Sequence, residues 1–344
     1  MPATPPAPLS YDVFVSDGPP RAGDERMPDG SPLVWSPLSS TLISGAQDAI
    51  LVDPPFTRTQ TQRVGDWVEK SGRRLACIYV THGHGDHWFG TGELVKRFPG
   101  VTVYATAGTI EVMRQQAGQG REQLWDRIFP GQIPETPVLA EPVPAQGFWL
   151  EGNPLVAVET GHSDTDHTTV LHVPSIGLVA AGDVAYNGVH QYILEGGHGG
   201  LQQWLRAIDR VADLHPRAVV AGHKNKDRPD EPAIFDETRQ YLEDVIRRPG
   251  RSPLSRLSLV LLRGRVLPPS CEAETPARYT QRHRIGPGQC GYVAPGHDAE
   301  VVGTEPCVII DWMGMVTTPG GARPARTWPP VRRVGASRRG SAFF

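Results

Sequence analysis

"THGHGDHWFG", residues 81–90, puts three histidines and an aspartate within six positions of a chain that carries twelve histidines in 344 residues. It continues the run "LACIYVT", apolar and rich in β-branched residues, which reads as a buried strand. The imidazoles therefore gather just past the C-terminal end of a strand, where open α/β sheets present their chemistry.

Working outward from that turn, strand and helix alternate. "STLISG" and "AILVDP" read as paired strands, "TQTQRVGDWVEKSG" as a helix, "GTGELVKRFPG" as a helix closed by Pro and Gly, "VTVYAT" as a strand and "AGTIEVMRQQAG" as a helix. The Pro-punctuated stretch from Phe129 to Pro144 reads as a long loop. Strands follow at "PLVAVET", "TTVLHVP" and "IGLVAAGD", then a helix at "GGLQQWLRAIDRVADL", a strand at "AVVAGH" and a helix from about Glu231 to Arg247. The pattern is that of an α/β domain.

Three further residues occupy expected strand ends, each directly after a glycine: His162 after "LVAVETG", Asp183 after "GLVAAG" and His223 after "AVVAG". With His82, His84, Asp86 and His87 they make seven imidazole and carboxylate groups, the donor types of a site for zinc or a similar divalent ion.

This order, HxHxDH and then His, Asp and His, resembles the metallo-β-lactamase-fold hydrolases over about residues 31–247. The resemblance implies an αβ/βα four-layer sandwich, two mixed β-sheets face to face with helices outside and the site along one edge. Carried over position by position, it assigns His82, His84 and His162 to one metal and Asp86, His87 and His223 to a second, with Asp183 bridging. Two divalent ions about 3.5–4 Å apart can share a hydroxide at neutral pH. Zinc is the expected ion, with iron or manganese as alternatives. The hydroxide would attack an acyl carbon while Asp86 and Asp183 fix it, so no serine or cysteine nucleophile is needed. Ester, lactone, thioester and amide or lactam bonds of a small molecule are the expected targets. An Asp at position 183, where zinc β-lactamases often carry cysteine, resembles the hydroxyacylglutathione and lactone hydrolases. The alternative is an iron-dependent enzyme of the same fold, such as a persulfide dioxygenase.

Around this set, Asp53 either orients a ligand histidine from outside or caps the turn after "AILVD". Tyr186 and Tyr192 either hydrogen-bond a substrate carbonyl or leaving group or serve as core and rim aromatics. Trp88 and Phe89 suggest an apolar wall beside the metals, and "EGGHGG", residues 195–200, a mobile loop at the mouth. His167, His172, His190, His198 and His215 read as ordinary loop or partly buried histidines.

Composition bounds the rest. A net charge of −3 gives no general pull toward nucleic acid or membrane, and no run of about eighteen apolar residues is present. Cys77, Cys271, Cys290 and Cys307 form no CxxC pair. A soluble, cytoplasmic protein with a small-molecule substrate is expected, its oligomeric state open. The average hides a division. From Pro249 onward there are thirteen Arg, no Lys and six acidic residues, a balance of +7, so the first 248 residues carry −10. The expected organisation is a Pro-rich segment at 1–30, the hydrolase domain at 31–248, and an Arg/Pro/Gly-rich, poorly ordered tail at 249–344 that is either a natural extension or a shifted reading frame.

Overall fold

A computed structural model describes residues 6–23, 26, 31–145 and 147–247. The expectation for the tail, 249–344, lies outside them. Of two compact units, Met1–Leu242 holds the whole sheet. In the second, Glu243–Phe344, the described part is the end of one helix.

The apolar runs become strands that join into one curled, mixed sheet, eleven-stranded among the described residues. Its first half contains β1 (Ser10–Ser16), β2 (Leu38–Ser44), β3 (Asp48–Val52), β4 (Arg74–Tyr79), β5 (Thr102–Ala105) and β6 (Glu141–Pro142). β1 and β3 flank β2 antiparallel, and β3 through β6 run parallel. β7 (Phe148–Leu150), β8 (Asn153–Gly161), β9 (Thr168–Val173) and β10 (Leu178–Asn187) pair antiparallel, and β11 (Ala218–Lys224) lies parallel to β10. A single residue pair, His223 with Leu38, joins β11 to β2 and so connects the halves. β1 comes from the segment that composition sets apart, its alternating "SYDVFVS" having enough apolar residues for an outer strand.

Helix α1 (Arg58–Lys70) starts from a capping box in which Thr57 and Gln60 satisfy each other's backbone N–H groups, and it buries Val64, Gly65 and Val68. α2 (Thr91–Arg97) follows the histidine turn. α3 (Ala107–Gln115) runs on through a wide π-type stretch, Gln116–Trp125, into the single turn α4 (Asp126–Ile128). Gly118, non-helical at φ −92°, and Gly120 mask this continuation in the sequence. α5 (Gly200–Ala212) and α6 (Ile234–Arg247) cover the second half, where Trp204, Ile208, Val211 and Phe235 pack on Val179, Val184 and Val219. Each fully buried aliphatic side chain of this kind contributes roughly 1.5–3 kcal/mol. A second core, with Ile43, Ile50, Tyr79, Leu171 and Val220, lies elsewhere in the sheet. No helix among the described residues is long and apolar enough to cross a membrane.

Two strand ends differ from expectation. β10 continues past Asp183 to Asn187, and His223 lies inside β11. In β10 the register against β11 shifts on both sides of Gly182, whose φ is +48° and whose Cβ, if present, would lie 2.3 Å from Thr81 Oγ1. The irregularity re-aims Asp183 without ending the strand, and only glycine allows that approach to the histidine turn.

Candidate metal centre

The turn after β4 is held from outside by Asp53, which follows β3. Its Oδ1 accepts the Thr81 N–H at 2.8 Å and its Oδ2 the Thr81 hydroxyl at 2.7 Å. Asp53 sits at φ +51°, a conformation Asp tolerates better than most residues. The same Oδ2 stands 3.4 Å from His87 Nδ1, so Asp53 both fixes the turn and faces an imidazole.

Two groups of three ligand-type atoms, each within 4.8 Å of one another and buried, gather here: Asp86, His87 and His223 in one, His82, His84 and Asp164 in the other. His87 and His82 also make a third with Asp53.

In the first group His223 Nδ1–H donates to the Pro37 carbonyl at 3.0 Å, since that oxygen only accepts. Its Nε2 is thereby aimed at Asp86 Oδ2, 3.5 Å away, and Asp183 Oδ2, 3.4 Å away. His87 Nε2 lies 3.4 Å from Asp183 Oδ1. Asp86 Oδ2 accepts the Trp35 indole N–H at 2.8 Å, and Asp183 accepts the Tyr186 hydroxyl. Gly222 makes room for this, because a Cβ there would fall 2.2 Å from Asp183 Oδ1.

In the second group His82 Nδ1 lies 3.1 Å from the Thr81 hydroxyl, whose own proton goes to Asp53, so His82 donates from Nδ1 and presents Nε2. His84 donates from Nε2 to Glu195 Oε1 at 3.0 Å, and its Nδ1 stands 2.7 Å from Asp164 Oδ2. His82 Nε2 and Asp183 Oδ1 are buried without a hydrogen-bond partner. Buried, unpaired lone pairs of imidazole and carboxylate type suit a divalent cation, whereas in an apolar setting each would be costly.

The Metallo-beta-lactamase superfamily pattern matches residues 33–223, more than half of the chain. The chain belongs to the metallo-β-lactamase superfamily. It is 27% identical over 176 residues to a protein named hydroxyacylglutathione hydrolase from Chromohalobacter salexigens, covering 51% of this chain and 56% of that protein. A second protein of that name, from a Synechococcus strain, is 38% identical over 65 residues, 19% of this chain and 24% of that one. The chain thus spans little more than half the length of the first of these relatives. Among solved structures, a metallo-beta-lactamase from Pontibacter korlensis superposes with a TM-score of 0.50 at 16% identity, over 69% of this chain and all of that one. Metallo-beta-lactamase IND-7 superposes with a TM-score of 0.50 at 17% identity, over 70% of this chain and 96% of that one. These likenesses establish the fold.

Within this superfamily member, six of the seven groups singled out in the sequence lie together: His82, His84, Asp86, His87, Asp183 and His223. His162 belongs to none of the three-residue groups. Its Nδ1 pairs with Asp166 at 2.7 Å, and its Nε2 is buried without a partner. Tyr186 is buried, stacked on His223 at 5.4 Å, with its hydroxyl committed to Asp183, so it holds a carboxylate rather than facing a pocket. Tyr192 is partly exposed and meets His84 edge-on at 5.3 Å. Trp88 and Phe89 are fully buried and brace the turn, Trp88 donating to the Gly83 carbonyl. The half-buried aromatic beside the site is Trp35, edge-on to Trp125 at 5.4 Å and Phe129 at 5.6 Å.

Asp164, Glu195 and Trp35 were not among the candidate groups. Asp164 had a signal, the acid-rich "HSDTDH" at 162–167. Glu195 had only its place beside the glycines, and Trp35 had none.

The carboxylates set the charge state of the imidazoles. Burial alone would push His87 down, but Asp183 and Asp86 override it and lift it to about 10. His84 rises against the same burial through Asp164 and Glu195, and His223 through Asp183 and Asp86. His82 falls, from burial and the neighbouring charge of His87. Asp86 is held well below the ordinary carboxylate range, burial being outweighed by His87 and His223. Burial also opposes the lowering of Asp164, which His82 and His84 bring about.

Proposed function

We propose that this protein is a metal-dependent hydrolase that cleaves an ester, lactone, thioester or amide bond of a small molecule. In this reading His82 and His84 on one side, Asp86, His87 and His223 on the other, and Asp183 would hold two divalent ions, zinc before iron or manganese. The observation that carries it is the convergence of buried imidazole and carboxylate groups, of which His82, His84, His223, Asp86 and Asp183 are each oriented by a hydrogen-bond partner outside the cluster. The described residues offer no competing thiol: Cys77 is buried and its thiol is pushed up by that burial.

Divalent ions at such a site polarise a carbonyl oxygen and supply an activated water at neutral pH. The chain's own residues do the rest. Asp86, oriented by Trp35, and Asp183, oriented by Tyr186, are the carboxylates that direct the attacking water. Tyr192 is the hydroxyl available to a substrate carbonyl or leaving group. Trp35 and its aromatic neighbours favour an apolar acyl part. The relatives named hydroxyacylglutathione hydrolase support an acyl bond, thioesters included. A soluble substrate met in the cytoplasm, with no nucleic-acid or membrane partner, completes the reading.

Metal analysis of the purified full-length protein, followed by chelation and re-addition across ester, lactone, thioester and β-lactam substrates, tests it. About two zinc per chain, with hydrolysis lost on chelation and restored by zinc, is the expected result. Iron without hydrolysis would move the protein to the oxygen-using enzymes of this fold, and a chain that binds no metal would overturn the reading.

A further inference from the structure

β10 outlasts the strand beside it. β9 bonds it only along Leu178–Ala180, and past that point no strand covers this edge among the described residues, although every residue of β10 is buried. Buried backbone groups left in this way need partners from elsewhere, and two helices supply them. The Val184 carbonyl accepts the Trp204 indole N–H from α5 at 3.0 Å, and the Tyr186 N–H donates to Thr238 Oγ1 from α6 at 3.1 Å. Thr238 is fully buried, and its own hydroxyl proton goes to the Ile234 carbonyl one helical turn back, at 2.8 Å. That bond to its own helix turns the oxygen lone pair toward the strand.

Tyr186 links this point to the centre. Its backbone is tied to α6, its ring is stacked on His223 at 5.4 Å, and its hydroxyl donates to Asp183. The pairing of β10 with β11 slips between Gly182 and Tyr186, so the bond to Thr238 sits where the ladder constrains the backbone least. A shift of the Tyr186 backbone would carry the phenol hydroxyl, and with it the aim of the Asp183 carboxylate. Thr238 also meets the segment that follows β10, because its carbonyl accepts the Gln191 Nε2–H at 3.2 Å. That second contact uses the backbone of Thr238 and not its side chain.

We propose that Thr238 is a positioning residue of the metal centre, acting through Tyr186 on Asp183. This rests on the metallohydrolase reading and deepens it, since the direction of the Asp183 carboxylate then depends on the docking of α6 against β10 as well as on the strand itself. A hydroxyl that supports a ligand through one intermediate tunes the ion without touching it.

Cobalt(II) binding to the full-length protein, read by competition with a chelator and by the visible spectrum of the ion, tests this without relying on turnover. Thr238→Val keeps the shape and the carbonyl contact with Gln191 and removes only the hydroxyl. It is expected to weaken cobalt binding about tenfold and to change the spectrum, and Thr238→Ser is expected to restore both. Added to Tyr186→Phe, Thr238→Val is expected to cost less than about twofold further, because the link to Asp183 is already cut. Unchanged affinity and spectrum in Thr238→Val would overturn the inference. An equal loss with and without the Tyr186 hydroxyl would overturn it too, leaving Thr238 as a brace of the fold alone. Circular dichroism checks each fold, and if Thr238→Val does not fold, Thr238→Ala and Thr238→Ser, which differ only in the hydroxyl, take its place in the same comparisons. An unaltered chain that binds neither cobalt, zinc nor iron would instead overturn the metallohydrolase reading, and this inference with it.

Discussion

His223 and Asp183 are carried on strands and held by groups that belong to the sheet or its core, the Pro37 carbonyl and the Tyr186 hydroxyl, whereas His84 is held by Glu195 from the segment between β10 and α5. The side chains of His87, Asp86, Asp183 and His223 are at most 6% exposed, while that of Glu195 is 41% exposed. One half of the centre is thus set by the fold as it closes, and the other is completed by loop residues whose contacts open at lower cost. The difference assigns the fixed geometry to the first half and the adjustable geometry to the second.

The largest test of that contrast is His87→Ala. It removes a nitrogen that faces both Asp183 and Asp86, and hydrolysis is expected to fall to the uncatalysed background with metal lost, while most of the fold stays. Full activity in a metal-depleted variant would break the assignment. Tyr186→Phe is next. It keeps the ring stacked on His223 and removes only the hydroxyl given to Asp183, so metal affinity at this half is expected to fall about 10–100-fold, read by competition with a chelator. Unchanged affinity would show that the strand alone suffices to aim Asp183.

A pH test separates the halves from the metal. His87 is raised to about 10 by Asp183 and Asp86 acting against burial. A raised imidazole adds stability that is fully present below its unfolded value of about 6.5 and is lost as pH rises through the folded value. The chelated protein is therefore expected to lose several degrees of melting temperature between pH 7 and pH 9, about 2–4 °C for each kcal/mol. The buried tyrosines, all pushed up, enter only above about pH 10, where tyrosine in the unfolded chain ionises. With metal bound, His87 is neutral throughout and the slope is expected to vanish. A chelated protein with a flat melting temperature would mean that these carboxylates do not hold a proton on His87.

How much of this was legible in the sequence follows the same division. Residues on or just after strands announced themselves, because "LACIYVT", "GLVAAG" and "AVVAG" are short apolar runs with a clear end and a polar residue beyond it. The strands run on past the ends expected at Asp183 and His223, and the register shift around Gly182 leaves no mark on hydrophobic periodicity. Loop residues had no period to read. Asp164 stands in a turn among other acids, Glu195 among glycines, and Trp35 meets Asp86 across 51 positions. Such pairings arise from tertiary packing, which local pattern does not encode. The helical continuation beyond Gly118 to Ile128 has no sequence signal for a related reason: Gly118 and Gly120 argue for a turn, whereas packing of Trp125 and Phe129 on Trp35 and Phe56 resumes the helix after the non-helical Gly118.

Glu195→Gln offers the smallest effect and the finest test. The amide keeps one oxygen to accept the His84 N–H, and its NH2 can donate to the Thr165 hydroxyl, so the change removes the charge and reverses one hydrogen bond. A buried carboxylate at this point would matter greatly, but solvent screens one that is so exposed. A loss of about tenfold or less in affinity at the His82–His84 side is expected, with the other side unaffected, measured by the same chelator competition. A loss as large as that of Tyr186→Phe would mean that the loop holds its half as firmly as the strands hold theirs, and the contrast between the two halves would fail.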